Sequence, residues 1–179
     1  AVTGTLPSLS LDTLDADLSA SLAALAADLE QPDGCVARSR ALITAALEDT
    51  RPHYGLNTGF GALKSERIEA EDTAQLQFNL LRSHACGMGE PAPRGITRRM
   101  MALKAHALGQ GFSVETQAVV QGLRNILKDD VEPVVPSQGS LGASGALAPL
   151  SHLALVLIGE GYVWGMSGPE PAEKALRQS

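Results

Sequence analysis

The segment Gly139-Ser140-Leu141-Gly142-Ala143-Ser144-Gly145 sets glycines three apart immediately ahead of an apolar run. A phosphate cradle would need a closing Lys-Ser/Thr pair or a preceding strand, and the string has neither. A nucleophile elbow requires Gly-x-Ser-x-Gly, whereas Ser144 is followed at once by Gly145. What the local pattern leaves is a tight helix entry, in which glycine allows close packing. Two other places hold residues with chemistry to offer. Tyr54 lies in a loop broken by Pro52, Gly55, Gly59 and Gly61, and His84 stands near the end of a helical stretch. On type alone Tyr54 is as readily a half-buried loop residue as a base, and a lone helical His is more often packed than liganding.

These residues need elements to hold them, and composition says which kind. The hydrophobic fraction is 44% but aromatics are only 3%, so Leu, Ala and Val fill the core of a mainly α domain. The 179 residues suit one domain, spanning 1–179. Periodic apolar positions predict helices over Asp12–Glu30, with Asp12 as N-cap, and from about Val36 to Leu47, the two forming a hairpin. Further helices are expected from Ala70 to Arg82, Arg94 to Leu108 and Val114 to Leu127. Pro133, Pro136 and Gly139 impose irregular backbone up to Gly142. Ala146–Ile158, apolar on nearly all sides, reads as a buried helix in which His152 packs, and a last helix starts near Glu173. His53 and His106 have no assigned task.

A net charge of −6 with no Lys/Arg cluster excludes a nucleic-acid footprint. No apolar run approaches the roughly 20 residues of a membrane span, which excludes a membrane partner. Two cysteines, Cys35 and Cys86, form neither a CxxC nor a disulfide framework, which points to a reducing cytoplasm. Cys86 two residues beyond His84 does not make a metal site, and no metal is expected.

The longer string Pro136 to Gly145, continued by Leu147-Ala148-Pro149-Leu150-Ser151-His152-Leu153-Ala154, resembles the prosthetic-group segment of histidine and phenylalanine ammonia-lyases. So do His53-Tyr54-Gly55-Leu56-Asn57-Thr58-Gly59-Phe60-Gly61 and Gln75 to Gly87, in the same order. The resemblance covers the chain from about Leu9 onward and is closest to the histidine-type members. It implies the N-terminal helical domain of the ammonia-lyase fold without the long C-terminal bundle. It also implies 4-methylidene-imidazol-5-one (MIO) formed autocatalytically from Ala143, Ser144 and Gly145, and elimination of ammonia from an aromatic L-amino acid, histidine first. Tyr54 matches the family's catalytic base, and His84 a residue lining the substrate pocket. By the same resemblance Asn57 and Gly61 are expected to bind substrate. An aminomutase uses the same ring and tyrosine and stays an alternative.

The match departs in three places. Ala146 stands where members carry an aspartate, which would cap the following helix. Gly111-Phe112-Ser113-Val114 lacks a glycine that histidine-type members have after the serine. Members are much longer, and their remaining site residues lie downstream. The resemblance thus implies a second chain carrying the C-terminal bundle, assembled as a dimer of heterodimers around a small amino acid substrate. The rival class is a ring-less homologue serving as an assembly subunit or hosting other chemistry, which Ala146 favours.

Overall fold

The computed structural model describes residues 6–47, 51, 53, 58, 70–113 and 115–177. Seven helices and four short strands lie among them: α1 (Leu14–Leu29), α2 (Cys35–Leu47), α3 (Ala70–His84), β1 (Met88–Pro91), α4 (Arg94–Gly109), α5 (Gln117–Lys128), β2 (Pro136–Gln138), α6 (Leu147–Leu157), β3 (Tyr162–Gly165), β4 (Gly168–Pro171) and α7 (Ala172–Leu176). The mainly α expectation holds, and the helix limits fall close to those the periodicity sets.

The core is aliphatic, as the shortage of aromatics requires. Leu18 and Leu25 of α1, Val36 of α2, Met101, Ala105 and Leu108 of α4, Val120, Leu123 and Leu127 of α5 and Leu153 of α6 form one buried cluster. Asp28, near the end of α1, accepts the Cys35 N–H at 2.8 Å, so the first helix caps the second and the hairpin closes. Arg99 of α4 grips Asp15 through two bonds of 2.8 and 2.7 Å. No helix among the described residues is long and apolar enough to cross a membrane. Cys35 is buried, Cys86 is exposed, and no disulfide joins them.

Three expectations need correction. Asp12 is not the N-cap of α1: Thr13 is, and it makes no side-chain cap bond. Its hydroxyl donates instead to Asp17 at 2.7 Å, and Asp17 also accepts the Ser10 N–H at 2.9 Å. The stretch Pro133–Gly142 is not wholly irregular, because Pro136–Gln138 pairs antiparallel with Met88–Pro91. The tail likewise folds into the β3–β4 hairpin, with Gly165 opposite Gly168. Tyr162 and Trp164 of β3 also bond residues 132–134, so β4 takes the outer edge, where Pro169 and Pro171 need no ladder donor.

The third correction concerns α6. Of its 11 residues only Ala148, Ser151, Leu153 and Val156 are buried, and Leu147 is 56% exposed. An apolar circumference ordinarily means cover on every side; here one face has it, and the opposite face opens onto a cavity.

Candidate functional site

The turn that carries Ala143, Ser144 and Gly145 runs directly into α6. Pro149 sits in the first helical turn, where its missing N–H leaves nothing unsatisfied. At the other end Gly159, at φ +78°, closes the helix: its N–H donates to Val156 O at 3.0 Å and the Glu160 N–H to Leu155 O at 2.9 Å. That closure delivers Glu160 to Arg82 of α3, which holds the carboxylate through contacts of 2.5 and 3.0 Å. The guanidinium is the main reason the Glu160 carboxyl titrates below its ordinary range. α6 is thereby fixed to α3 at its far end while its N-terminus presents the turn.

Within the turn, Gly145 has φ +67°, the left-handed region that side chains disfavour. A Cβ there would fall 2.6 Å from Ser140 Oγ. Ala143 and Ser144 are exposed, and the Ala146 N–H donates to Ser144 Oγ at 3.3 Å. Ala146 caps α6 without a side-chain bond, so backbone amides and the positive end of the helix dipole face the turn unneutralised.

A cavity of about 550 Å³ adjoins this turn. Ser144, Ala146, Leu147 and Leu150 line one side, and Gln77, Leu80 and Leu81 of α3 another; Lys104 and Glu115 are the charged residues of its wall. Ser144 and α3 therefore meet at one opening. His84 does not line it. Its Nδ1–H donates to Leu80 O at 2.8 Å, folding the half-buried ring back along α3. Tyr54, Asn57 and Gly61 lie outside the described residues. Of their motif His53 and Thr58 are described, and Thr58 is buried.

Sequence reasoning missed the part played by His152, expected only to pack. Its half-buried imidazole accepts the Gly87 N–H through Nε2 at 2.9 Å. Burial lowers its pKa, which favours the neutral ring this bond requires. A histidine inside an apolar helix carries no local signal of an acceptor's duty. The chance to find it lay in Gly87, whose lack of a side chain signals a close approach.

Comparison with known proteins gives the same assignment along nearly the whole chain. The family model for aromatic amino acid lyases matches residues 19–179. Histidine ammonia-lyase of Geobacillus thermodenitrificans is 48% identical over 155 residues, which are 87% of this chain and 31% of that protein. The Bacillus subtilis histidine ammonia-lyase is 47% identical over 144 residues, 80% of this chain and 28% of that one. Among solved structures, histidine ammonia-lyase from Trypanosoma cruzi superposes with a TM-score of 0.71 at 34% identity, covering 80% of this chain and 27% of that one. Tyrosine aminomutase from Streptomyces globisporus gives 0.73 at 30%, covering 88% and 31%. The chain thus spans less than a third of the length of these relatives.

Proposed function

Because the chain belongs to the aromatic amino acid lyase family, we propose that it supplies the ring-forming part of an ammonia-lyase acting on an aromatic L-amino acid, with histidine the first candidate. The observation that carries this reading is the backbone of the Ala143-Ser144-Gly145 turn. Three small residues stand at a helix N-terminus, the last held at φ +67° with the Ser140 hydroxyl 2.6 Å from where its Cβ would be.

Such a turn can close on itself. The Gly145 nitrogen bonds to the Ala143 carbonyl carbon, giving a five-membered ring. The carbonyl oxygen departs as water, taking the Gly145 N–H proton and that of Ser144. A second water takes the Ser144 hydroxyl and its Cα proton, leaving an exocyclic methylidene. No oxidant is consumed. The bond from the Ala146 N–H to Ser144 Oγ stabilises charge on the departing oxygen, helped by the α6 dipole. Gly145 offers its nitrogen without a Cβ in the way, and Ala143 adds little bulk beside the carbonyl. Once formed, the methylidene-imidazolone supplies an electrophile that activates the substrate amine.

The remaining steps fall to side chains. Tyr54 removes the β-proton, which requires a phenol whose pKa is brought down by neighbouring donors. Asn57, Gly61 and His84 serve in substrate binding, His84 from outside the wall of the cavity beside the turn. The other site residues come from polypeptide beyond these, expected on a second helical chain in a dimer of heterodimers. Measurement of the peptide containing residues 143–145 from the assembled protein tests the reading. A deficit of two waters supports it; an unmodified mass rejects MIO catalysis and favours a ring-less subunit, the reading that the uncapped Ala146 supports. Product analysis separates lyase from aminomutase.

A further inference from the structure

The Gly87–His152 bond ties together more than two residues. Gly87 has no room for a side chain: a Cβ would meet His152 Nε2 at 2.9 Å, Pro136 Cβ at 3.1 Å and the Gln138 carbonyl at 3.2 Å. Gly139 crosses it so closely that a Cβ there would fall 3.0 Å from Gly87 Cα and 3.3 Å from Ala148 Cβ. The turn holding residues 143–145 therefore leaves this crossing at Gly139 and returns to it through α6. One end of the turn is set by β2, which pairs with β1 immediately after Gly87. The other end is set by α6. The hydrogen bond from the Gly87 N–H to His152 Nε2, spanning 65 residues, joins the two supports.

We propose that His152 is a positioning residue for closure of the Ala143-Ser144-Gly145 ring, acting through Gly87 to fix the span of the turn between β2 and α6. The proposal rests on the reading of these three residues as the ring precursor. Closure requires the Gly145 nitrogen to reach the Ala143 carbonyl carbon along one approach, and an intramolecular reaction of this kind is sensitive to shifts of about an ångström in its end points. A side chain that merely filled the site would leave the Gly87 N–H without its acceptor and the two ends of the turn free to drift. An imidazole with its lone pair on Nε2 fills the site and holds the ends.

The test uses the enzyme assembled with the polypeptide that completes it. His152→Phe keeps a ring but removes the acceptor, and His152→Gln keeps an acceptor at similar reach. The time course of water loss from the peptide containing residues 143–145 is followed by mass after synthesis, together with amide hydrogen exchange at Gly87 and the melting temperature. We expect His152→Phe to slow dehydration by roughly 10- to 100-fold and to speed exchange at Gly87, and His152→Gln to restore most of both. If Phe overpacks the half-buried site and the protein fails to fold, His152→Leu makes the same comparison with a smaller group. An acceptor-less variant that folds and dehydrates at the wild-type rate overturns the role of His152 and leaves the ring reading standing. Equal impairment of the Gln and acceptor-less variants overturns it too, since packing alone would then explain the loss. Wild-type protein that never loses water overturns both readings.

Discussion

Substituting Gly145 separates its two duties. Gly145→Ala must place a Cβ at φ +67° and within 2.6 Å of Ser140 Oγ, a strain worth roughly 1–3 kcal/mol. The expected result is a lower melting temperature together with an unmodified peptide mass. A variant that is equally stable and still loses two waters would mean that the turn differs from the one described. Tyr54→Phe deletes one hydroxyl, so melting should hardly change while turnover falls by something like 10²–10⁴-fold if the phenol is the general base; near-normal turnover would remove it from the mechanism. The histidines give a pH dependence. Burial lowers the pKa of both His106 and His152 from the ordinary 6.5, so the unfolded chain takes up protons before the folded one does. Their contribution is intact above about pH 6.5 and is lost as pH falls through that value toward the depressed folded pKa. Denaturant midpoints measured between about pH 8 and 5 should fall on the acid side. His106→Gln should flatten that fall, because His106, bonded to Ser21 at 2.7 Å and Gln110 at 3.0 Å, would no longer titrate; an unchanged slope would place the acid sensitivity elsewhere.

Among the helices, α5 shows how an element earns its place. Thr116 caps it by accepting the Val119 N–H, and Val120, Leu123, Ile126 and Leu127 bury one stripe. Leu123→Ala should cost about 2–5 kcal/mol, read as a shift in denaturant midpoint with unchanged m-value; a loss below 1 kcal/mol would mean the core collapses readily around that position. Stripes of this kind are why the helices were legible in the sequence. Strands β1, β2 and β4 were not, because β2 contains Pro136, β4 contains Pro169 and Pro171, and β1 contains Gly89 and Pro91. Local propensity argues against each, and only the partner segments explain them. The apolar circumference of α6 announced a helix but not which side would be left uncovered. At the site, the small-residue triplet stood out through the longer family-like string around it, since its local pattern alone fits a tight helix entry as well. The acceptor duty of His152 was not, since its partner is 65 residues away and a helical histidine has no local pattern that reveals it.

Across the molecule, apolar side chains stand open in places that do not suit an exposed surface. Ile96 and Leu103 of α4 are 59% and 40% exposed and flank an apolar groove with Met100 and Ala107. Patches of this kind promote association unless another surface covers them. Residues 1–179 produced alone should therefore scatter light as aggregates, and become monodisperse when co-produced with the second helical chain proposed above. A soluble, monodisperse monomer would reject the second-chain proposal. The clasp between Arg82 and Glu160 spans 78 residues and the Gly87–His152 bond spans 65, whereas each helix forms from neighbours in sequence. Local structure is fast and distant closure slow. The ring closure proposed at residues 143–145, which draws on the Gly87–His152 bond, should lag the helical circular-dichroism signal during synthesis or refolding. Because it is not undone by later unfolding, a chain that carries it keeps a permanent record of having once been native.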